Sequence, residues 1–185
     1  MSHAWLRGTR GQAPWSARIR RGVPGRTLVG MTTPTTQPTT AASLARAQLA
    51  SMADGTLDDF ARLVAPDARN REAATEPPAC REPGPAGWYA TALWLRGMFS
   101  DLRWDVHEAV ADGDLVALHT TMHGVHTGRY TKYAPDGSLV VDRPPTGRAF
   151  ATTQSHWLRV ADGRIVEHWA NRDDLGVAMQ LGFLG

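Results

Sequence analysis

An α+β fold is what this sequence predicts, with helices gathered at the front and a mostly antiparallel sheet behind them. Three patterns predict it. Apolar residues recur at helical spacing over 43–64 and 87–100. Two pairs of long apolar-rich runs follow, each pair joined by Asp-Gly, at Asp112-Gly113 and Asp162-Gly163. Asp-Gly tolerates positive φ at both turn positions and so favours tight hairpins. Helices first and strands afterwards is the order of a sheet with helices collected on one face.

The first helix is expected from a cap near Ser43 to Met52, with Leu44, Ala45, Leu49 and Met52 on one face. Asp54-Gly55 breaks it, and Thr56 or Asp58 caps a second short helix carrying Leu57, Phe60, Leu63 and Val64 until Pro66 ends it. Residues 68–85 hold four prolines and read as irregular, with Asn70, Arg71 and Glu72 as polar residues where the chain re-enters the body. Residues 87–100 are too apolar for an exposed helix and should lie against the sheet. Strands are expected over 102–111 and 114–126, then a long irregular connection over 128–145, then strands over 149–161 and 164–172. Asp173 or Asp174 caps a last helix that Gly182 ends. A strongly bent sheet folded over such helices makes a cone with an apolar interior and one open mouth.

Pairing arithmetic sorts the polar strand residues onto faces. If Ala111 pairs with Asp114, then Leu102, Trp104, Val106, Val110, Leu115, Ala117 and His119 share a face, and His119 and Trp104 line a cavity. If Ala161 pairs with Arg164, then His156 faces Trp169, Gln154 faces Asn171 and Thr152 faces Asp173, all on one face, with His168 and Trp157 opposite. A bulged turn in this last hairpin would shift its register by one residue and swap the partners.

Charge and motifs narrow the functional classes. The chain carries 20 basic and 18 acidic residues, but six arginines and no acid fall in 1–30. Residues 31–185 therefore hold 14 basic and 18 acidic residues, a net charge of −4, which argues against nucleic-acid binding by the folded part. Residues 1–40 read as a disordered basic and Thr/Pro-rich leader, with 1–30 as upstream sequence ahead of a natural start at Met31, and 41–185 as the domain. No apolar run approaches the roughly 18 residues that span a bilayer, and Cys80 is the single cysteine, which suits a reducing cytoplasm. The phosphate-binding and nucleophile-elbow patterns G-x-x-x-x-G-K-[ST], G-x-G-x-x-G and G-x-S-x-G are absent. His119 and His123 share a strand face but stand about 13 Å apart, too far for one metal ion.

A set of ordered motifs adds a family resemblance. His126-Thr127-Gly128, Pro144-Pro145-Thr146-Gly147-Arg148, His156-Trp157, Asp162-Gly163-Arg164-Ile165, the run from Glu167 to Gly176 and the closing Gln180-Leu181-Gly182 resemble the SnoaL-like polyketide cyclases, or ester cyclases. The resemblance covers about residues 43 to 184. It implies the cone-shaped barrel of the nuclear-transport-factor-2-like superfamily, to which ketosteroid isomerase belongs. It also implies a homodimer, a deep pocket for a small apolar molecule, no membrane association, and an aldol ring closure that uses an acid–base aspartate with no metal and no cofactor. The family's Asp before Leu-Gly matches Asp173, and its strand histidine matches His156. Some members carry an Asp where this chain has Ala170, and many carry an aromatic residue where it has Arg172.

On that basis Asp173 is the expected base, with His156 and Asn171 as donors and Gln154, Trp169, His119 and Trp104 as substrate contacts. A carboxylate in an apolar cone suits proton removal α to a carbonyl, because desolvation raises its pKa. Asp173 also stands where an Asp is commonly only a helix cap. Were the pocket to lack a base, the same cone would be a non-catalytic binding module for an apolar ligand.

Overall fold

The computed structural model describes residues 40–184. The expectations for the 1–40 leader lie outside the described residues, apart from Thr40. Thr40 is itself the cap of the first helix: its hydroxyl accepts from the Ser43 N–H, three residues ahead of the cap expected at Ser43.

Helices α1 (Ala41–Asp54) and α2 (Leu57–Leu63) form the helical pair, and Thr56 and Asp59 close a capping box at the start of α2. The chain then becomes strand β1 (Val64–Asn70), where the proline-rich composition predicts an irregular stretch. Pro66 is accommodated because β1 is an edge strand. Two 3-10 turns, Arg71–Thr75 and Pro78–Arg81, lead to helix α3 (Gly84–Met98). Gly84 starts α3 at φ 74°, and a Cβ there would overlap the Pro66 carbonyl, so the site requires glycine.

Strands β2 (Phe99–Asp112) and β3 (Leu115–His126) form the first long hairpin, and β6 (Ala149–Ala161) and β7 (Arg164–Arg172) the second. The 128–145 connection is a separate two-stranded ribbon, β4 (Tyr130–Tyr133) with β5 (Leu139–Arg143). Helix α4 (Asp174–Leu181) closes the chain and ends in left-handed Gly182. The main sheet runs β1-β7-β6-β3-β2, antiparallel except for the β1–β7 pair. This is the α+β cone that the sequence predicts. Among the described residues, no helix is long and apolar enough to cross a membrane.

The core divides in two. Beneath α1–α3, Phe60, Val64, Trp88, Val116, Leu118, Leu158 and Ile165 are closely buried. Toward α4, Met98, Phe99, Met122, Phe150, Val177 and Leu181 form a second cluster.

Two bulges correct the predicted registers. In the β2–β3 hairpin the turn lies at Gly113-Asp114, pairing Asp112 with Leu115, and an extra residue at His107 then shifts the ladder so that Val106 pairs with Thr120 and Trp104 with Met122. Leu102, Trp104 and Val106 therefore face inward with Thr120 and Met122, while Val110 and His119 face outward. In the β6–β7 hairpin, Asp162 and Gly163 both adopt positive φ, and Ala161 pairs with Arg164 as the two-residue turn predicts. One extra residue, Val166, then shifts the pairs: His156 stands opposite Ala170, Gln154 opposite Arg172 and Ser155 opposite Asn171. The bulge turns His168 inward and Trp169 and Asn171 outward.

Candidate active site

The bent inner face of the sheet and the helices line a cavity of about 60 Å³. Helices α1 and α3 supply an apolar roof that includes Leu49, Met52, Trp88 and Leu95. The sheet and the first 3-10 turn supply the polar groups: Asn70, Glu72, Glu76, Gln154, His156, His168 and Arg172.

A hydrogen-bonded row crosses the cavity floor. His168 Nδ1 lies 3.0 Å from Asn70 Oδ1, His168 Nε2 lies 3.0 Å from His156 Nδ1, and His156 Nε2 lies 2.9 Å from Gln154 Oε1. The two imidazole planes lie within 19° of parallel, edge to edge across that contact, with centroids 5.3 Å apart. Both amide ends are fixed as acceptors, since Glu72 N–H donates to Asn70 Oδ1 (3.2 Å) and Trp104 Nε1–H donates to Gln154 Oε1 (3.0 Å). Three contacts then need three protons, whereas two neutral imidazoles supply two. Burial, with Arg172 adding to it, pushes His156 down from 6.5 to about 4. Burial also holds His168 well below its ordinary value, with His156 and Arg172 acting in the same direction. The neutral pair is thus one proton short of complete hydrogen bonding, and burial keeps it so.

Two carboxylates share the cavity. Glu72 reaches across β7: its Oε1 accepts the Ala170 N–H at 2.9 Å, and its Oε2 lies 3.3 Å from Arg172 Nη2. Arg172 is also 3.7 Å from Asp174. Glu76 is almost completely buried and accepts the Thr91 hydroxyl at 2.6 Å. Burial raises the Glu76 pKa, and the Thr91 hydrogen bond opposes that only in part.

The structure brings Gln154, His156 and Trp104 together in this cavity. It does not bring Asp173, Asn171, Trp169 or His119 there. His119, Asn171 and Asp173 border a shallow open depression on the outer face, and Trp169 stacks on Trp157 at 6.3 Å with Arg71 over its ring. The cause is the two bulges, each of which exchanges the faces of its strand. Asp173 caps α4, accepting the Gly176 N–H at 2.7 Å. The pairing arithmetic assigns His168 to the wrong face and passes over Arg172, Glu72 and Glu76. The polar run Asn70-Arg71-Glu72 was the available signal for the first carboxylate, and nothing in the local pattern places Glu76.

Comparison with known proteins agrees with this architecture. The profile of the SnoaL-like polyketide cyclases matches residues 42–181. The chain belongs to that family. Among its SnoaL-like relatives, aklanonic acid methyl ester cyclase DnrD of Streptomyces peucetius is 30% identical over 143 residues, covering 75% of this chain and 88% of that one. Nogalonic acid methyl ester cyclase of Streptomyces nogalater is 30% identical over 133 residues, covering 69% and 87%. The crystal structure of IdmH from Streptomyces antibioticus superposes with a TM-score of 0.59 at 31% identity, covering 77% of this chain and 98% of that one. Glu72, from the first 3-10 turn, sets its carboxylate against the Ala170 backbone N–H.

Proposed function

We propose that this protein closes a ring by a cofactor-independent intramolecular aldol reaction on an ester of polyketide type, with Glu72 as the proton acceptor. The observation that carries the reading is the Glu72 carboxylate lying against Ala170 N at 2.9 Å inside the cavity that holds the histidine pair. The methyl ester cyclases named above supply the substrate class.

The steps follow from the geometry. Glu72 takes the proton α to a carbonyl, and the resulting enolate attacks a second carbonyl, so one C–C bond forms and an alkoxide appears. That alkoxide recovers the proton, and substrate and product are isomers. Arg172 fixes the Glu72 carboxylate by its 3.3 Å contact. The histidine pair, which burial keeps neutral, borders the reacting groups as a fixed hydrogen-bonded row. Trp104 and Trp88 are flat walls for the apolar body of the ligand.

We further propose that two copies pair through the outer sheet face around the stacked Trp157 and Trp169, in the cytoplasm, where the buried Cys80 thiol stays reduced. Light scattering on a sizing column reads the pairing directly.

The deciding experiment is Glu72→Gln, which keeps the acceptor for Ala170 N–H and removes the base. With nogalonic acid methyl ester as substrate and chromatographic product detection, kcat should fall at least about 100-fold, the ordinary contribution of a general base. Unchanged turnover in a folded Glu72→Gln protein rejects Glu72. A wild-type protein that binds the ester and never converts it is a binding module.

A further inference from the structure

Lys132 is the only lysine among the 185 residues, against nineteen arginines. It stands on β4, in a ribbon the cyclase chemistry above does not use, and its side chain is only 19% exposed. There it lines a second cavity of about 40 Å³, which shares Leu95, Met122, Gln154 and Arg172 with the first. Trp94, Tyr130 and Phe99 give this cavity aromatic walls.

The ammonium group is poorly matched to its protein neighbours. It lies 5.4 Å from the Trp94 ring and 5.8 Å from Tyr130, which partly offsets its lost hydration. Its nearest acid, Asp174, is 3.9 Å away and half exposed. Arg172, the other cation here, is engaged by both Glu72 and Asp174. Burial lowers the Lys132 pKa, with Asp174 opposing the shift. A lysine ammonium has three N–H donors, and an anionic oxygen entering from the cavity would satisfy them as charge-assisted hydrogen bonds. An arginine at the same place would present a wider, planar fork suited to bidentate partners.

We propose that Lys132 makes this second cavity a subsite for an anionic oxygen on a flat aromatic ligand, either a ring carboxylate or an acidic enol, whose apolar body extends into the cavity beside the histidines. The inference rests on the cyclase reading only in taking the two cavities as parts of one substrate site.

The test measures binding without turnover. Calorimetric titration at neutral pH compares 2-naphthoate with methyl 2-naphthoate, and 2-hydroxy-1,4-naphthoquinone with its methyl ether. Wild-type protein should bind at least one anionic probe about tenfold more tightly than its methylated twin, the margin of one charge-assisted hydrogen bond. The pair that shows the preference identifies the oxygen as carboxylate or enol. Lys132→Met should abolish the preference while neutral-probe binding persists. A second readout needs no variant: reductive ¹³C-methylation gives a single side-chain lysine resonance, which the anionic probe should shift and the neutral one should not. Equal binding of anionic and methylated probes by wild type, no binding of any probe, or a preference that survives in Lys132→Met overturns the proposal. Glu72→Gln should keep the binding preference, so failure of Glu72 as base and failure of the subsite are read separately.

Discussion

Acidification should destabilise this protein through the histidine pair, and the size follows from burial. His156 titrates at about 4 in the folded protein against 6.5 when unfolded. A folded value below the unfolded one means that stability is fully present above 6.5 and is lost as pH falls toward 4, because the unfolded chain takes up the proton first. One pKa unit is worth about 1.4 kcal/mol. Between pH 7 and pH 4.5 the loss from His156 is therefore about 2 to 3 kcal/mol, and His168 acts in the same direction. That is a large part of the roughly 5–15 kcal/mol holding a typical domain. Glu76 works with the opposite sign: its raised pKa gives stability that is present below 4.5 and lost as pH rises through its folded value. The measurement is urea unfolding by tryptophan fluorescence at both pH values, for wild type and for His156→Phe. Glu76 contributes to both proteins, so the difference between them isolates the imidazole. Wild type should lose about 2 to 3 kcal/mol more than the variant on acidification. Parallel loss in the two proteins would refute the view that burial keeps His156 neutral.

Other expectations concern the cap, the core and the thiol. Asp173→Ala should cost about 1 kcal/mol of stability, as loss of an N-cap does, and leave turnover unchanged, because Asp173 caps α4 outside the cavity; a collapse of kcat with normal stability would return the base to Asp173. Phe60→Ala removes the completely buried ring of α2 and should cost about 3–5 kcal/mol by denaturant titration. Burial pushes the Cys80 thiol up to about 12, so an aromatic disulfide reagent should react slowly with native protein and rapidly in denaturant. A fast native reaction would show that the segment around Pro78–Arg81 opens readily.

Much of the architecture was legible in the chain. Helical periodicity located α1, α2 and α3, and both Asp-Gly pairs marked hairpins. The β6–β7 turn sits at Asp162-Gly163, where positive φ at both residues matches the prediction. Less legible was any strand whose composition disguised it. β1 contains Pro66 and was hidden among prolines, and the β4–β5 ribbon was hidden in a loop-like segment. Both depend on partners distant in sequence, β1 on β7 and the ribbon on α3, to which Thr131 is tied by the Trp94 indole N–H. The solitary lysine was in plain view, but its meaning required the cavity around it.

The hairpin of β6 and β7 separates what the two levels decide. By itself the sequence determined the fold class, the family, and that this hairpin carries Gln154, His156 and further polar groups into or around a pocket. Only the tertiary structure decided which of them go inside. Side chains alternate strictly along a strand, so one extra residue at Val166 carries His168 and Arg172 inward and Trp169 and Asn171 outward, and one at His107 leaves His119 outside. A bulge leaves little local signature, because it is selected by how the whole bent sheet packs over α1 and α3. The same packing brings Glu72, 98 residues before Ala170 in the chain, to the cavity wall.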